Sequence, residues 1–315
     1  MDSIFKIGVD VGFGHTKYAY KDEKGELVLG KFPSVVAIAE DNLNEISEGV
    51  HVFENAMYYV GEMALKQPNH AIREIVTYKD LEKYAPLLIA HVFSLEGIES
   101  DSVSSITCGL SPAHKGNSAN FKNRISNFEI NGNSYSFDIV LLPQGVGAVQ
   151  AIKYFDGNDE VTEASDYLVV DIGFNTMDVI FVYNQQIQRG KINEDNSFEK
   201  KGAINIAEMM QKHIKGSFGR DITLKESLAI VTQGNYRLRG AVNDLSHEIK
   251  MFKEEYTRGI MDFLEAKYAN EFDKMEKICF VGGGGYFIDI KYAEHIDTFR
   301  HSEYFNAIGN LIFEA

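Results

Sequence analysis

The sequence predicts an α/β protein made of two similar halves, and two related stretches give the main reason. Residues 7–18 (IGVDVGFGHTKY) and 169–179 (VVDIGFNTMDV) each begin as a buried strand that ends in Asp-x-Gly-Phe. A tight turn and a second strand follow in both. Asp10 and Asp171 lie about one domain length apart, and each stretch leads into a further strand. Two similar β-meanders at this spacing indicate a duplicated architecture.

The turns of these two stretches carry residue types that suit a phosphate. Thr16 and Thr176 supply hydroxyl donors, and Lys17 adds a compact positive charge. Asp10 and Asp171 would hold Mg²⁺ mainly through water, because this ion loses its hydration shell reluctantly. Neither turn contains a P-loop motif. The turns also hold residues that tolerate a positive φ, so we expect backbone N–H groups to face an anion; these are Gly12, Gly14, Gly173 and Asn175.

Five segments, taken in chain order, resemble the actin-like ATPases, the superfamily that includes heat-shock chaperones and sugar kinases. The two stretches above resemble its phosphate-1 and phosphate-2 motifs. Residues 141–151 (LLPQGVGAVQA), 280–288 (FVGGGGYFI) and 305–313 (FNAIGNLIF) resemble its first connecting helix, adenosine motif and second connecting helix. YYVGEMAL, GLSPAHKGN and PQGVGA are most similar to ParM-like plasmid segregation actins. The resemblance implies an actin-like, ribonuclease H-like duplicated fold with a nucleotide cleft between the halves.

The same resemblance sets the expected domains. Residues 1–150 with 300–315 would form the first domain, with a small inserted subdomain at about 32–69. Residues 151–299 would form the second domain, with a small helical subdomain at about 191–274. In the resembled family the inserted region contributes to contacts between protomers, but a variable surface appendage explains its polar composition equally well.

Local patterns predict the elements of the first half. Residues 4–30 read as three strands with a turn at Lys24-Gly25. Pro86 suits the first position of a helix, so the apolar run YAPLLIAHVFSL predicts a helix that begins there. A buried strand (SSITCGLS) and a helix at about 117–126 follow. FEINGNSYSFDIVLLP predicts a hairpin with Asn131-Gly132 at its tip, and its second strand leads to Pro143 and a helix start packed through small residues between the domains.

The second half has comparable signals. Residues 155–166 read as a polar surface loop, and VIFVYNQQIQRGKI continues the second meander. Ile204, Ala207 and Ile214 recur at helical spacing after Gly202. Two more helices are predicted at 224–233 and 245–269. KICFVGGGG predicts a buried strand that runs through glycines into a helix, whose N-terminus would favour a phosphate.

The resemblance also implies roles for individual residues. Gln144 would orient the attacking water, with Asp10 and Asp171 as Mg²⁺ and catalytic carboxylates, and Asp178 would act through the water network. Asn175 stands where DIGGGTTD-type hairpins carry glycine, which leaves the γ-phosphate geometry open. The expected nucleotide contacts are Gly12, Phe13, Gly14, His15, Thr16, Lys17, Gly173, Phe174, Asn175, Thr176, Glu208, Gly282, Gly283, Gly284, Gly285 and Tyr286.

The functional expectation is an ATPase, or a GTPase, that uses Mg²⁺ and polymerises into filaments that partition DNA. A formal net charge of −15 argues against broad direct contact with nucleic acid, so a DNA-binding adaptor is expected as partner. No apolar stretch approaches about 18 residues and the N-terminus resembles no signal peptide, which predicts a cytoplasmic protein without membrane association. Cys108 and Cys279 are expected to be buried reduced thiols.

Two alternatives stay open on the sequence. The first is a small-molecule kinase of the same superfamily, acting on a sugar or an acid. Such an enzyme needs a carboxylate base and a specific substrate pocket, and the sequence has no obvious signature of either. The second is a non-filament actin-like scaffold or switch.

Overall fold

The computed structural model describes residues 6–39, 49–154, 163–288 and 293–313. The chain divides into two compact units, Met1–Phe155 with Glu303–Ala315, and Asp156–Ser302. Several sequence expectations extend beyond the described residues: the first two residues of the strand expected from residue 4, most of the polar run at 41–49, the start of the surface loop at 155–162, and residues 289–292 after the glycine-rich segment.

The first unit is built on a five-stranded sheet with the order β11-β8-β1-β2-β3. Its strands are β1 (Lys6–Val11), β2 (His15–Lys21), β3 (Leu27–Pro33), β8 (Ser105–Leu110) and β11 (Asp138–Pro143). The first three form the predicted antiparallel meander, and β8 pairs in parallel with both β1 and β11. Five of the six residues of β1 are buried, as expected for a central strand covered on both faces.

A second, four-stranded sheet follows β3, where the sequence predicted a polar inserted subdomain. It has the order β5-β6-β4-β7 and consists of β4 (Val35–Ile38), β5 (His51–Phe53), β6 (Ala56–Val60) and β7 (Ile72–Glu74), with a short helix α1 (Glu62–Leu65). Val35, Ala37, Ala64 and Ala71 form a small core of its own. The described part of this region is therefore regular structure.

The long helix α2 (Tyr78–Glu96) corrects the prediction that a helix starts at Pro86. Thr77 is its N-cap: the Thr77 hydroxyl accepts from the Asp80 N–H, and the Asp80 carboxylate accepts from the Thr77 N–H. This capping box satisfies two donors of the first turn, which starts the helix earlier. Pro86 lies inside the helix and is buried, where neighbouring packing offsets the missing N–H.

The Asn-Gly hairpin is confirmed, but its second strand is shorter than predicted. β9 (Asn127–Ile130) pairs with β10 (Asn133–Ser136), and Asn131 and Gly132 have φ of 55° and 75°. These angles match the type I′ turn that Asn-Gly favours. The chain then leaves the hairpin at Phe137, and β11 joins the main sheet as a separate strand. The helices α3 (Ser118–Ser126) and α4 (Val146–Tyr154) complete this part of the unit.

The second unit repeats the hairpin arrangement of the first. Its sheet has the order β14-β13-β12-β18-β19, with β15 also on β13. As in β1 and β2, β12 pairs antiparallel with β13 across the Asp-x-Gly turn and parallel with β18. This repetition confirms the predicted duplication. The strands are β12 (Tyr167–Ile172), β13 (Thr176–Tyr183), β14 (Gln186–Ile187), β15 (Ser197–Glu199), β18 (Lys277–Val281) and β19 (Ile296–Thr298).

Helices cover the remainder of the second unit. The three predicted helices are present as α5 (Ile204–Phe218), α6 (Leu224–Gln233) and α7 (Ser246–Phe272). Between α6 and α7 lies a hairpin that was not predicted from the sequence, formed by β16 (Asn235–Leu238) and β17 (Ala241–Asp244). After β18, residues 285–287 form a single 3₁₀ turn, so no helix follows the glycines within the described residues up to 288.

The C-terminal helix α8 (Phe305–Ile312) belongs to the first unit and packs against α4 and β1. A Cβ on Gly8 of β1 would lie 2.1 Å from the Ala307 carbonyl oxygen, and one on Gly309 would lie 1.9 Å from that of Gly147. The small residues of α4 therefore permit close packing inside the first unit. No helix among the described residues is long and apolar enough to span a bilayer.

Candidate nucleotide-binding site

The first hairpin brings Asp10 and Lys17 together. They are partners in the register of β1 and β2, and the Lys17 Nζ lies 3.0 Å from the Asp10 Oδ2. The Lys17 and Asp10 side chains are largely buried, at 12% and 2% exposure, so solvent screens this ion pair little.

The two cysteines are buried thiols. Burial, and to a lesser extent the nearby charge of Asp10, raises the pKa of Cys108 to about 12. Cys108 and Cys279 are both free and buried, as predicted.

Gln144 joins this pair from the end of β11. Its Nε2 donates to the Asp10 Oδ1 over 3.4 Å, and its backbone N–H donates to the Leu110 carbonyl over 2.9 Å. Gly145, with φ of 88°, then turns the chain into α4. Asp10, Lys17 and Gln144 are thus neighbours in the first unit, although they are distant in sequence. We call these three residues the first half-site.

Two other residues of the first hairpin turn their side chains inward. Thr16 is fully buried, and its hydroxyl lies 3.0 Å from the hydroxyl of Ser34, the residue between β3 and β4. Phe13 is 5% exposed and packs edge-on against His114. Any phosphate contact of Thr16 or Phe13 would therefore come from its backbone. Ser34 was missed by the sequence analysis.

The hairpin tips do not use the left-handed backbone that their residues tolerate. The residues with positive φ among those described do not include the four proposed for this role, which are Gly12, Gly14, Gly173 and Asn175. Gly12 has a steric role instead, because a Cβ there would lie 2.9 Å from the His15 carbonyl oxygen. The expectation that the backbone N–H groups of these tips face an anion stays a prediction.

The second hairpin presents two carboxylates side by side. Asp171 and Asp178 are direct partners in the register of β12 and β13, which places their Cβ atoms about 5 Å apart on the same face. They are 2% and 1% exposed, and the Ser197 hydroxyl donates to the Asp178 Oδ1. A Cβ on Gly282 would lie 2.5 Å from the Asp171 Oδ1, so only glycine allows β18 to end here. Asp171 and Asp178 form the second half-site.

Helix α5 is anchored directly on the tip of the second hairpin. The N–H groups of Ala203 and Ile204 donate to the carbonyls of Gly173 and Phe174 over 3.0 and 2.7 Å. A Cβ on Gly202 would lie 2.5 Å from the Phe174 oxygen, which explains the glycine before this helix.

A buried lysine beside this hairpin was also missed by the sequence analysis. Lys225 of α6 is 7% exposed, and its Nζ lies 4.6 Å from the centroid of the Phe174 ring. Residue type alone gave no signal for it, because lysine at the start of a helix is usually solvated.

The remaining predicted contacts lie in the second unit. Gly282 has φ of 78°, and the Gly284 N–H donates to the Ile172 carbonyl over 2.8 Å, which binds the glycine-rich segment to the end of β12. Tyr286 is 44% exposed and Glu208 lies on the exposed face of α5. The nucleotide roles of these residues stay predictions, as do those of Gly283, Gly285, His15 and Thr176.

The second half-site fits a hard cation. Two adjacent buried carboxylates repel each other when both are ionised, and a divalent cation relieves this repulsion. Within the described residues, no cluster of three or more His, Cys, Asp or Glu side chains could hold a metal ion. Mg²⁺ is usually bound by one or two carboxylates together with water and substrate phosphates, so the donor set present is compatible with it.

The fold and the two half-sites define a duplicated, actin-like protein. Two family models match the sequence: "Actin like proteins N terminal domain" at residues 8–147 and "Archaeal actin homologue MreB-like, C-terminal" at residues 169–294. The chain belongs to the actin-like superfamily, and the predicted resemblance is confirmed. No curated protein matched the sequence.

Solved structures of several relatives share this fold along nearly the whole chain. A 15-stranded ParM filament from Clostridium botulinum has a TM-score of 0.75 at 20% identity, covering 99% of this chain and 98% of its own. Ta0583, an archaeal actin homolog, has a TM-score of 0.74 at 18% identity, covering 97% and 98%, and was also solved in complex with ADP. ParM from Bacillus thuringiensis with ATP has a TM-score of 0.65 at 16% identity, covering 99% and 98%. At these identities the likeness shows the fold alone.

Proposed function

We propose that this protein is an ATPase that binds ATP with Mg²⁺ and assembles into nucleotide-dependent filaments. The observation that carries the proposal is the pair of half-sites, each formed where a central strand ends in Asp-x-Gly. The family membership supports it, as do relatives solved with ADP, with ATP or as a filament. In this proposal the chain has two actin-like domains with the expected ranges, 1–150 with 300–315, and 151–299.

The chain's own residues would act by positioning and electrostatics. Lys17 would exchange Asp10 for a phosphate oxygen, since both are anionic partners of similar geometry. Gln144 carries an amide that donates to Asp10 and an oxygen that can accept from a water, which suits it to orient the attacking water. Mg²⁺ would be held near Asp171, largely through water, where it would offset charge on the phosphates.

A cellular role in partitioning plasmid or other DNA completes the proposal. The acidic chain would not contact DNA broadly, so a basic adaptor protein would join filament and DNA in the cytoplasm. The purified chain alone should therefore leave the mobility of a DNA fragment unchanged in a gel-shift assay. A clear shift at physiological salt would contradict the need for an adaptor.

Light scattering after addition of Mg²⁺ and ATP, read together with phosphate release and electron microscopy, tests the main proposal. We expect scattering to rise, filaments to be visible, and scattering to decay as phosphate appears. Phosphate release without polymer over a wide range of protein concentration would refute the filament, and transfer of phosphate to a panel of sugars or acetate would then favour a kinase. GTP in place of ATP measures the nucleotide preference.

Asp171→Asn tests the second half-site. The substitution keeps the shape but removes one of the two charges that would hold Mg²⁺, so phosphate release should fall by at least about 100-fold. Asp101→Asn is the matched control, because Asp101 is an exposed carboxylate in a surface turn. An unchanged rate in Asp171→Asn would remove Asp171 from the reaction.

A further inference from the structure

Helix α8 carries two buried asparagines that the proposed chemistry does not use. Asn306 and Asn310 are 5% and 1% exposed and lie one turn apart on a helix whose other residues are mostly apolar. A buried amide costs free energy unless its polar atoms are hydrogen-bonded, so the partners of these side chains matter.

Each asparagine binds the backbone next to one member of the first half-site. The Asn306 Oδ1 accepts from the N–H of Gly145, the residue after Gln144, over 3.0 Å. The Asn310 Nδ2 donates to the carbonyl of Val9, the residue before Asp10, over 3.0 Å. Both elements that carry the Gln144–Asp10 contact are therefore fixed to the same helix.

The packing around α8 leaves this helix little freedom to move. Its backbone touches α4 at Gly309 and β1 at Ala307, as described above, and a Cβ on Gly147 would lie 2.8 Å from the Asn306 carbonyl oxygen. Contacts between backbone atoms cannot relax by a change of rotamer. A rigid helix whose two amides bind defined backbone atoms can hold the Gly145 turn and strand β1 in a fixed relation.

We propose that Asn306 and Asn310 are positioning residues that set Gln144 against Asp10 for hydrolysis. The Gln144–Asp10 contact is long, at 3.4 Å, so it has little strength to fix Gln144 by itself. Gly145, with φ of 88°, is the flexible point next to Gln144, and Asn306 holds the N–H of that residue. This inference rests on the proposed ATPase function.

Turnover with a double-mutant cycle provides the first test. Asn306→Ala should lower kcat for phosphate release about 10- to 100-fold with little change in KM, because a misplaced water-orienting group affects the transition state and not ground-state binding. Gln144→Ala should give a similar loss, and Asn306→Ala with Gln144→Ala should be no slower than Gln144→Ala alone. The proposal would be overturned if the kcat losses of the two single variants multiplied in the double variant, or if Asn306→Ala raised KM alone.

Asn310 is tested by an isosteric swap that removes its donor and introduces a carboxylate. Asn310→Asp keeps the shape but replaces the Nδ2 donor that faces the Val9 carbonyl with an acceptor, so it should lower kcat, while Asn310→Gln should restore part of it. Asn235→Ala is the control, because the Asn235 side chain donates to the nearby Gln233 carbonyl, outside the first half-site. Equal activity of Asn310→Asp and the wild type would overturn the role of Asn310.

Hydrogen–deuterium exchange separates this inference from the proposed function. With Asn306→Ala, the peptide that contains Gly145 should exchange faster than in the wild type, with or without nucleotide, because its N–H loses its acceptor. Unchanged exchange would refute the positioning contact whatever the activity. Absence of phosphate release from the wild type, with the exchange difference present, would refute the ATPase proposal and with it the catalytic purpose of the contact.

Discussion

Replacing Gly309 with alanine measures how closely α8 packs against α4. Gly309 lies inside α8, where alanine is favoured over glycine by about 1 kcal/mol on helix propensity alone. Its new Cβ, however, would lie 1.9 Å from the Gly147 oxygen and 2.4 Å from the Gly147 Cα. The oxygen contact is about 1.5 Å short of ordinary van der Waals distance, and both atoms are backbone, so the helices must separate. Overpacking costs about 1–3 kcal/mol or more, and an overlap of this size between backbone atoms belongs at the upper end, which outweighs the propensity gain of about 1 kcal/mol.

Gly259→Ala is a matched control with the opposite expected sign. Gly259 lies inside α7, is exposed, and has nothing within 4 Å of its would-be Cβ, so only the propensity gain remains. Urea unfolding should show Gly309→Ala less stable and Gly259→Ala more stable than the wild type. Thermal unfolding should show Tm shifts in the same directions, of roughly 2–4 °C per kcal/mol. The close contact of α4 and α8 would be refuted if Gly309→Ala were as stable as Gly259→Ala.

Two further predictions concern buried polar groups. The His51 Nε2 lies 3.1 Å from the His91 Nδ1. Burial, and to a lesser extent the neighbouring His51, lowers the pKa of His91 from 6.5 to about 4. The stability that the neutral His91 contributes is therefore present above pH 6.5 and is lost as the pH falls through about 4. In urea unfolding, His91→Leu should reduce the loss of stability between pH 7 and 5, whereas a substitution of the exposed His247 by Leu should not. Equal dependence of the unfolding free energy on pH in the two variants would contradict this. Within the described residues the buried Tyr256 hydroxyl has no hydrogen-bond partner, while the Tyr268 hydroxyl donates to the Asn196 Oδ1 over 2.7 Å. Tyr256→Phe should therefore leave the free energy of unfolding nearly unchanged, and Tyr268→Phe should lower it by about 1 kcal/mol. A larger loss in Tyr256→Phe than in Tyr268→Phe would refute this expectation.

The features that were predicted correctly from the sequence are turns and strands that depend on residues close together in the chain. Asn131-Gly132 specifies its hairpin because both residues tolerate positive φ, and the two Asp-x-Gly-Phe turns specify theirs because apolar strands flank them. The prediction of a helix start at Pro86 is wrong because Thr77 and Asp80, which are also visible in the sequence, form a capping box that starts the helix earlier.

Contacts between distant segments could not be predicted in the same way. Ser34 against Thr16, Lys225 against Phe174 and Asn310 against Val9 depend on how the sheets and helices pack, and no local pattern encodes them. The two asparagines of FNAIGNLI were the one available signal, because amides in a short apolar helix require buried partners.

The two half-sites share a backbone arrangement but differ in the residue type that faces the aspartate. At matching positions of the two hairpins, Asp10 faces Lys17 across the strands whereas Asp171 faces Asp178. The first pair contains its own counter-ion, and Gln144 engages the other oxygen of Asp10. The second pair places two buried carboxyl groups side by side, a donor set that is compatible with a divalent cation. Each hairpin thus carries its own donor set: Lys17 in the first could bind a phosphate oxygen, and the two carboxylates of the second could hold a divalent cation, as the proposed function requires.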